Sequence, residues 1–341
     1  MKQVWITRKG GPEVLRVKEG PDPSPTEGEV LIEVKASGIN FADILSRTGR
    51  YPEAPPLPMV PGYEVSGLVT EVGEKVSKEW VGKRVFATSF FGGYSSKVCV
   101  PQEQVFLLPE KFSFSQGAAI SVNYLTAYAL ALKLGHLKSG DRALIYSAGG
   151  GVGLALYDFC KMVGASPVGV ASEGKHKKLK AHGFQFLVDP KSQNFENELR
   201  EITEDRGFDI IFDSHGGTSW SMGLRLLSPL GRLIAFGAFN YFDELKSGKA
   251  WRSDIEQGKW YPVDIFDLTQ ENNLVGGFNL ATLWKRSFSP LQVWLTEILN
   301  LIEIGNLTPT LDREFSFEQV ADAHQYLENR QNFGKVVLVF P

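Results

Sequence analysis

Six consecutive residues, Ala148-Gly149-Gly150-Gly151-Val152-Gly153, carry the plainest chemical signal in this chain of 341 residues. They follow the apolar segment ALIYS and precede a helical pattern with apolar Leu156, Phe159, Cys160 and Val163 that closes at Gly164. Strand, tight turn and helix in that order let a pyrophosphate approach bare backbone, meet amides that lack intrahelical acceptors, and gain from the positive end of the helix dipole. A side chain would block that approach. On this reading Ala148, Gly150, Gly151 and Val152 contact a dinucleotide. Ala148 fills the first glycine position of the G-x-G-x-x-G pattern, so a tight turn under a closely packed helix stands as the plain alternative.

The end of the second strand decides which dinucleotide, because NAD sites usually carry an acidic residue there to accept hydrogen bonds from ribose hydroxyls. Here PVGVA ends at Ala171-Ser172 and runs into Glu173-Gly174-Lys175-His176-Lys177-Lys178. Basic residues at a helix start oppose the dipole unless an anion is bound. A 2′-phosphate held by Ser172 and Lys175 supplies that anion and favours NADPH over NADH. A solvated lysine face, with Glu173 as the ribose acceptor, is the competing account. Ser214 in FDSHGG and Phe236 in IAFGAF follow later strands, at the edge where doubly wound sheets hold ligands.

Such residues need a parallel sheet, and the chain provides the pattern for one. From Val122 to about Leu283 apolar strands alternate with helical stretches, as in RALIYSAGGGVGLALYDFCKMVGA, PVGVAS, FQFLVD and FDIIFDS. Residues 1 to about 120 differ, being short β-rich runs between Gly and Pro clusters that predict an antiparallel or barrel-like unit. The last sixty residues hold two amphipathic helix candidates and the strand GKVVLVF, which can return to the first unit. A cleft between the two units is the expected site. Charge is nearly balanced, 36 Lys+Arg against 39 Asp+Glu, so neither nucleic acid nor an anionic membrane is the expected main partner. Two cysteines, Cys99 and Cys160, rule out a disulfide framework or a cysteine-rich zinc lobe. The start lacks a signal-peptide pattern, and no run approaches the roughly 20 apolar residues of a membrane span, so a cytoplasmic location is expected.

The segments SGINFAD, PGYEVSGLVTEVG, AGGGVG and the closing GKVVLV resemble the medium-chain dehydrogenase/reductase superfamily over nearly the whole chain. Its zinc-free quinone oxidoreductase branch is the nearest likeness. Within it GVASEGKHKKL, VGGFNLATLW and VADAHQYLENRQNFGKVVLV resemble the vesicle amine transport protein group. The resemblance implies an α/β fold: a GroES-like, β-rich barrel domain from residues 1–122 and 283–341, and a doubly wound Rossmann domain from 123–282. At the positions where zinc-dependent relatives hold the metal stand Asn40, Tyr63 beside Glu64, and Val122, so no metal is expected. Alcohol oxidation without a Lewis acid is difficult, whereas quinones and α,β-unsaturated carbonyls accept hydride readily.

The resemblance also assigns roles. Asn40 donates an amide N–H to the substrate oxygen, or merely stabilises a turn. Tyr51, after Gly49-Arg50, stacks on a quinone and donates a proton, or is an ordinary loop tyrosine. Tyr63 forms a wall, and Glu64 organises the site. Thr126, in what reads as a helix start, faces the nicotinamide or caps the helix, while Phe278 and Asn279 match the last cofactor-facing segment. Pro190 in LVDP replaces a tyrosine that covers the adenine in many quinone oxidoreductases. A homodimer joined through the last sheet strand is expected. Segment 241–268, rich in aromatics and lysines, reads as a lid, a partner surface or a peripheral membrane contact, and it leaves open a second role as a dinucleotide-binding regulatory or interaction protein.

Overall fold

The computed structural model describes residues 1–238 and 265–341. It divides into one unit of Met1–Leu125 with Leu280–Pro341 and another of Thr126–Asn279. The strands of the first unit are β1 Lys2–Ile6, β2 Leu15–Glu19, β3 Glu29–Ile39, β4 Glu64–Val72, β5 Arg84–Thr88, β6 Lys97–Pro101 and β7 Val105–Leu107. The second unit contributes β8 Arg142–Tyr146, β9 Ser166–Val170, β10 Phe186–Val188, β11 Phe208–Asp213, β12 Leu227–Ala235 and β13 Leu274–Gly277. The chain then returns to the first unit with β14 Leu311–Ser316 and β15 Lys335–Val339.

Strand β3 organises the first unit because it is long enough to pair with two partners along one edge. Its first half, Glu29–Glu33, runs antiparallel to β6, and its second half, Ala36–Ile39, runs antiparallel to β15. Strand β4 occupies the other edge, with Ser37 opposite Val65. Val30, Ile32, Val34, Val65, Val69, Val85, Val100, Val336 and Leu338 bury the resulting apolar core. This register brings the end of β3 beside the first residues of β4 and β15, which fixes the polar site described below.

In the second unit every neighbouring pair of strands is parallel, in the order β10-β9-β8-β11-β12-β13. Parallel strands covered on both faces become near-continuous apolar runs, and Leu144, Tyr146, Val168, Val170, Phe208, Ile211 and Leu233 form the core here. The helix Gly151–Val163 crosses from β8 to β9 and stops at Gly164, whose φ of 81° suits glycine. Cys160 is buried and Cys99 partly so. Burial pushes their thiols up, to about 12 and about 11, as expected of packing residues rather than nucleophiles.

Candidate functional site

The glycine-rich turn stands at the carboxyl end of β8. Ser147 adopts a φ of 54°, the Ala148 amide donates to the Val170 carbonyl at 3.0 Å, and the Gly150 amide donates to the Ser147 carbonyl at 2.8 Å. A Cβ at Gly153 would lie 2.5 Å from the Ser147 carbonyl oxygen and 2.8 Å from the Ala148 Cα, so this position requires glycine for the helix to approach the turn. Gly151 and Val152 open the helix, where backbone amides have no intrahelical acceptor. Ser147 Oγ and Ser214 Oγ are 2.8 Å apart, linking the ends of β8 and β11. The buried Asp213 then shapes the next loop, its Oδ1 accepting from the amides of His215 at 2.6 Å and Gly216 at 3.0 Å, while burial raises its carboxyl above the ordinary value. The Phe236 amide donates to the Asp213 carbonyl at 2.8 Å, and the Phe278 amide to the Ala235 carbonyl at 2.9 Å. Ala148, Gly150, Gly151, Val152, Ser214, Phe236 and Phe278 therefore line successive turns along one carboxyl edge. Asn279 is exposed directly after them.

Ser172 precedes the helix Glu173–His182, with Lys175 in its first turn. One feature there escaped the sequence reading. Asp189 accepts from the Glu173 amide at 2.8 Å through Oδ2 and from the Lys191 amide at 2.8 Å through Oδ1. Partial burial would raise this carboxyl, but those amides hold it below its ordinary value. Thr126 also differs from expectation. The helix runs Ser121–Tyr128, so Thr126 is buried beyond the first turn and cannot act as an N-cap.

In the first unit Asn40, Glu64 and Lys335 meet in a buried cluster. Lys335 is 3% exposed and Glu64 fully buried, and their ammonium and carboxylate form an ion pair. Lys335 Nζ also donates to Asn40 Oδ1 at 2.6 Å, and Asn40 Nδ2 donates to Glu64 Oε1 at 3.1 Å. The Val122 amide donates to Glu64 Oε2 at 2.9 Å. Asn40 also caps the helix Phe41–Thr48, forming a capping box with Asp43, so it stabilises the local turn as well as joining this cluster. Its amide is held at both ends, one N–H going to Glu64. An amide, a phenol and a valine at the three matched positions offer neither thiolate nor imidazole, and Glu64 is already neutralised by Lys335, so this donor set does not suit zinc. Among the described residues no group of three or more His, Cys, Asp or Glu could hold a metal ion. Sequence reasoning missed Lys335; its one available signal was a lysine opening the otherwise apolar strand GKVVLVF.

Tyr51 and Tyr63 belong to an aromatic wall. Their ring centroids are 6.1 Å apart, edge to face, and Tyr63 also contacts Phe90 at 6.3 Å and Phe91 at 4.8 Å. Phe90 continues to Trp284 at 5.8 Å. Such rings suit a flat conjugated partner. Burial raises both phenols; the Glu53 carboxylate adds to this for Tyr51, and Tyr51 and Asp43 add to it for Tyr63. They stay protonated and can donate. The Tyr63 hydroxyl is buried and makes no hydrogen bond of good geometry, with Ser46 and Tyr51 as its polar neighbours.

A second buried network adjoins this wall. Asp43 accepts from the backbone amides of Asn40 at 2.8 Å and Gly62 at 3.0 Å and from the Tyr94 hydroxyl at 3.2 Å. His324 Nε2 lies 3.2 Å from that hydroxyl, and its Nδ1 lies 3.3 Å from Arg47 Nη1. A guanidinium can only donate, so Nδ1 accepts, Nε2–H donates to Tyr94 and Tyr94 donates to Asp43. Arg47 pairs with Glu328 at 2.6 Å.

Residues 182–338 match the family model for zinc-binding dehydrogenases, and residues 26–110 match the alcohol dehydrogenase GroES-like domain. The chain is 35% identical over 339 residues to the synaptic vesicle membrane protein VAT-1 homolog of Rattus norvegicus, covering 98% of this chain and 83% of that protein. It is 31% identical over 343 residues to the quinone oxidoreductase of Homo sapiens, covering 99% and 98%. The solved structure of Escherichia coli quinone oxidoreductase complexed with NADPH matches with a TM-score of 0.86 and 28% identity over 100% of both chains. Residues 241–264 of the aromatic and lysine-rich segment lie outside the described residues.

Proposed function

The chain belongs to the medium-chain dehydrogenase/reductase superfamily, and on that premise we propose that it is an NADPH-dependent oxidoreductase that reduces quinones or α,β-unsaturated carbonyls without zinc. The observation that carries the reading is the turn Ala148–Gly153, whose bare backbone and helix-start amides stand at the carboxyl edge of a parallel sheet. The bound dinucleotide supplies the hydride. Gly150, Gly151 and Val152 receive its pyrophosphate, and the loops carrying Ser214, Phe236 and Phe278 border it. Ser172 and Lys175 take the 2′-phosphate. Crystallisation of the Escherichia coli relative with NADPH supports the choice of dinucleotide.

The acceptor half of the reading rests on the first unit. The wall of Tyr51, Tyr63, Phe90 and Trp284 suits a flat ring, and protonated Tyr51 or Tyr63 donates the proton that accompanies the hydride. Asn40 donates to the acceptor oxygen, where charge develops. Positioning then supplies most of the rate enhancement. In the same proposal the protein is cytoplasmic and two copies join along β13; among the described residues no helix is long and apolar enough to cross a membrane.

The test is loss of reduced-nicotinamide absorbance with NADPH and NADH in parallel, using para-quinones, an ortho-quinone and an alkenal, with and without a chelator. NADPH-selective turnover that survives chelation is expected. Tight NADPH binding with no turnover of any acceptor would overturn it in favour of a dinucleotide-binding interaction protein, the reading suggested by the vesicle membrane name of the rat relative.

A further inference from the structure

A buried ion pair is poor value as a stabiliser, because the desolvation of both charges offsets most of their attraction. The pair Lys335–Glu64 is nonetheless built with care. Gly38 makes room for it: a Cβ there would lie 2.6 Å from Glu64 Oε1 and 2.7 Å from Lys335 Cε. Both charged groups also bind the same third side chain, the Asn40 amide. An ammonium can only donate and a carboxylate can only accept, so together they remove the usual freedom of an asparagine to exchange its oxygen and nitrogen ends. Oδ1 must face Lys335 and Nδ2 must face Glu64. With the plane of the amide fixed at both ends, the direction of the second Nδ2–H is fixed as well.

We propose that Lys335 is a positioning residue that locks the Asn40 amide through Oδ1, so that the second Nδ2–H is the one presented to the acceptor oxygen. The inference rests on the proposed reduction and on the role of Asn40 in it. The Lys335 ammonium is itself engaged by Asn40 Oδ1 and Glu64 Oε1. With Lys335 alone removed, the Glu64 carboxylate still accepts from Nδ2; with both charges removed, Asn40 can rotate and present its carbonyl oxygen, which repels the developing negative charge. Complete loss of an oriented donor of this kind costs about 100-fold or more in kcat, and partial misorientation about 10-fold.

Lys335→Met alone leaves Glu64 buried without its counter-charge and is expected to destabilise the fold, so the decisive variant is Lys335→Met with Glu64→Gln, which removes both charges. Three readouts are taken: the thermal midpoint, kcat and KM for an ortho-quinone with NADPH, and the infrared carbonyl stretch of 9,10-phenanthrenequinone bound without NADPH. The expected result is that the double variant regains most of the midpoint lost in the single one. Its kcat is about 10-fold below that of the unaltered protein, KM stays within about twofold, and the stretch returns toward that of free quinone. A double variant that keeps both kcat and the shifted stretch makes Lys335 only the counter-ion of Glu64 and overturns the inference, as does absence of any stretch shift in the unaltered protein. If the unaltered protein shifts the stretch but does not oxidise NADPH, the proposed reaction fails while the positioning role of Lys335 stands on the stretch alone.

Discussion

Gly38 and Tyr63 expose the tolerances of the polar cluster and the aromatic wall one residue at a time. An alanine at position 38 brings its Cβ within 2.4 Å of the Ala118 carbonyl oxygen, backbone that cannot swing aside, as well as against Glu64 and Lys335. Gly38→Ala is expected to lose about 1–3 kcal/mol in urea unfolding, the usual effect of overpacking, and to lower turnover because the ion pair must shift. An alanine variant with unchanged unfolding midpoint and kcat would show that the cluster has slack. Tyr63 offers the opposite test. Its buried hydroxyl makes no hydrogen bond of good geometry, with Ser46 and Tyr51 as loose polar neighbours, so Tyr63→Phe should change stability by less than about 1 kcal/mol. If that hydroxyl donates to the acceptor, kcat falls by about 100-fold in the same variant, the range of a lost general acid. Equal turnover in the two proteins would reduce Tyr63 to a wall.

Between elements, the helices Phe41–Thr48 and Val320–Glu328 are tied by a network whose two titrating members act in opposite senses. Burial, assisted by the Arg47 guanidinium, pushes the His324 imidazole down from 6.5 to about 3. The unfolded chain therefore binds more protons in that range, and this contribution to stability is lost as pH falls from 6.5 toward 3. Burial pushes the Asp43 carboxyl up from 3.8 to about 7 against the amides of Asn40 and Gly62. Here the folded chain keeps a proton that the unfolded chain releases, so stability is lost as pH rises from 3.8 toward 7. From roughly pH 4 to 6.5 the two slopes oppose each other, and from these groups the unaltered protein should show a nearly flat profile. His324→Gln removes one of them. Its unfolding free energy should then decline with pH across that window, by up to about 1.4 kcal/mol per pH unit. A profile parallel to that of the unaltered protein would sink this account. None of the network was legible in the sequence. The strand-turn-helix of Ala148–Gly153 could be read because its parts are neighbours in the chain. Asn40, Tyr63 and Glu64 were found through their matched positions, but Lys335 lies 295 residues from Asn40 and 271 from Glu64, and only the register of β3, β4 and β15 joins them. His324 likewise sits in VADAHQYLENR, where its helical spacing predicts packing and says nothing about Tyr94.

For the whole molecule, the parallel sheet of the second unit ends at β13, and that outer strand is unusually open. All four of its residues are exposed, Leu274 at 65% and Val275 at 39%, and the preceding helix Ile265–Glu271 leaves Ile265 and Phe266 exposed as well. An apolar edge with unpaired backbone groups invites another strand, and proteins that remain monomeric usually protect such an edge with charge, proline or a covering element. Among the described residues nothing of this kind protects β13; LVGG has no charged residue and no proline. A second copy satisfies the edge symmetrically, since two β13 strands related by a twofold axis pair antiparallel and bury both sets of side chains. Leu274→Lys with Val275→Lys places two charges on each side of that axis. Sedimentation at micromolar concentration should show a dimer for the unaltered protein and a monomer for the variant. Because the substitutions lie on an exposed edge, the thermal midpoint at high dilution should change little between the two. A variant that still sediments as a dimer would move the interface elsewhere, and an unaltered protein that sediments as a monomer would mean that some other part of the chain protects β13.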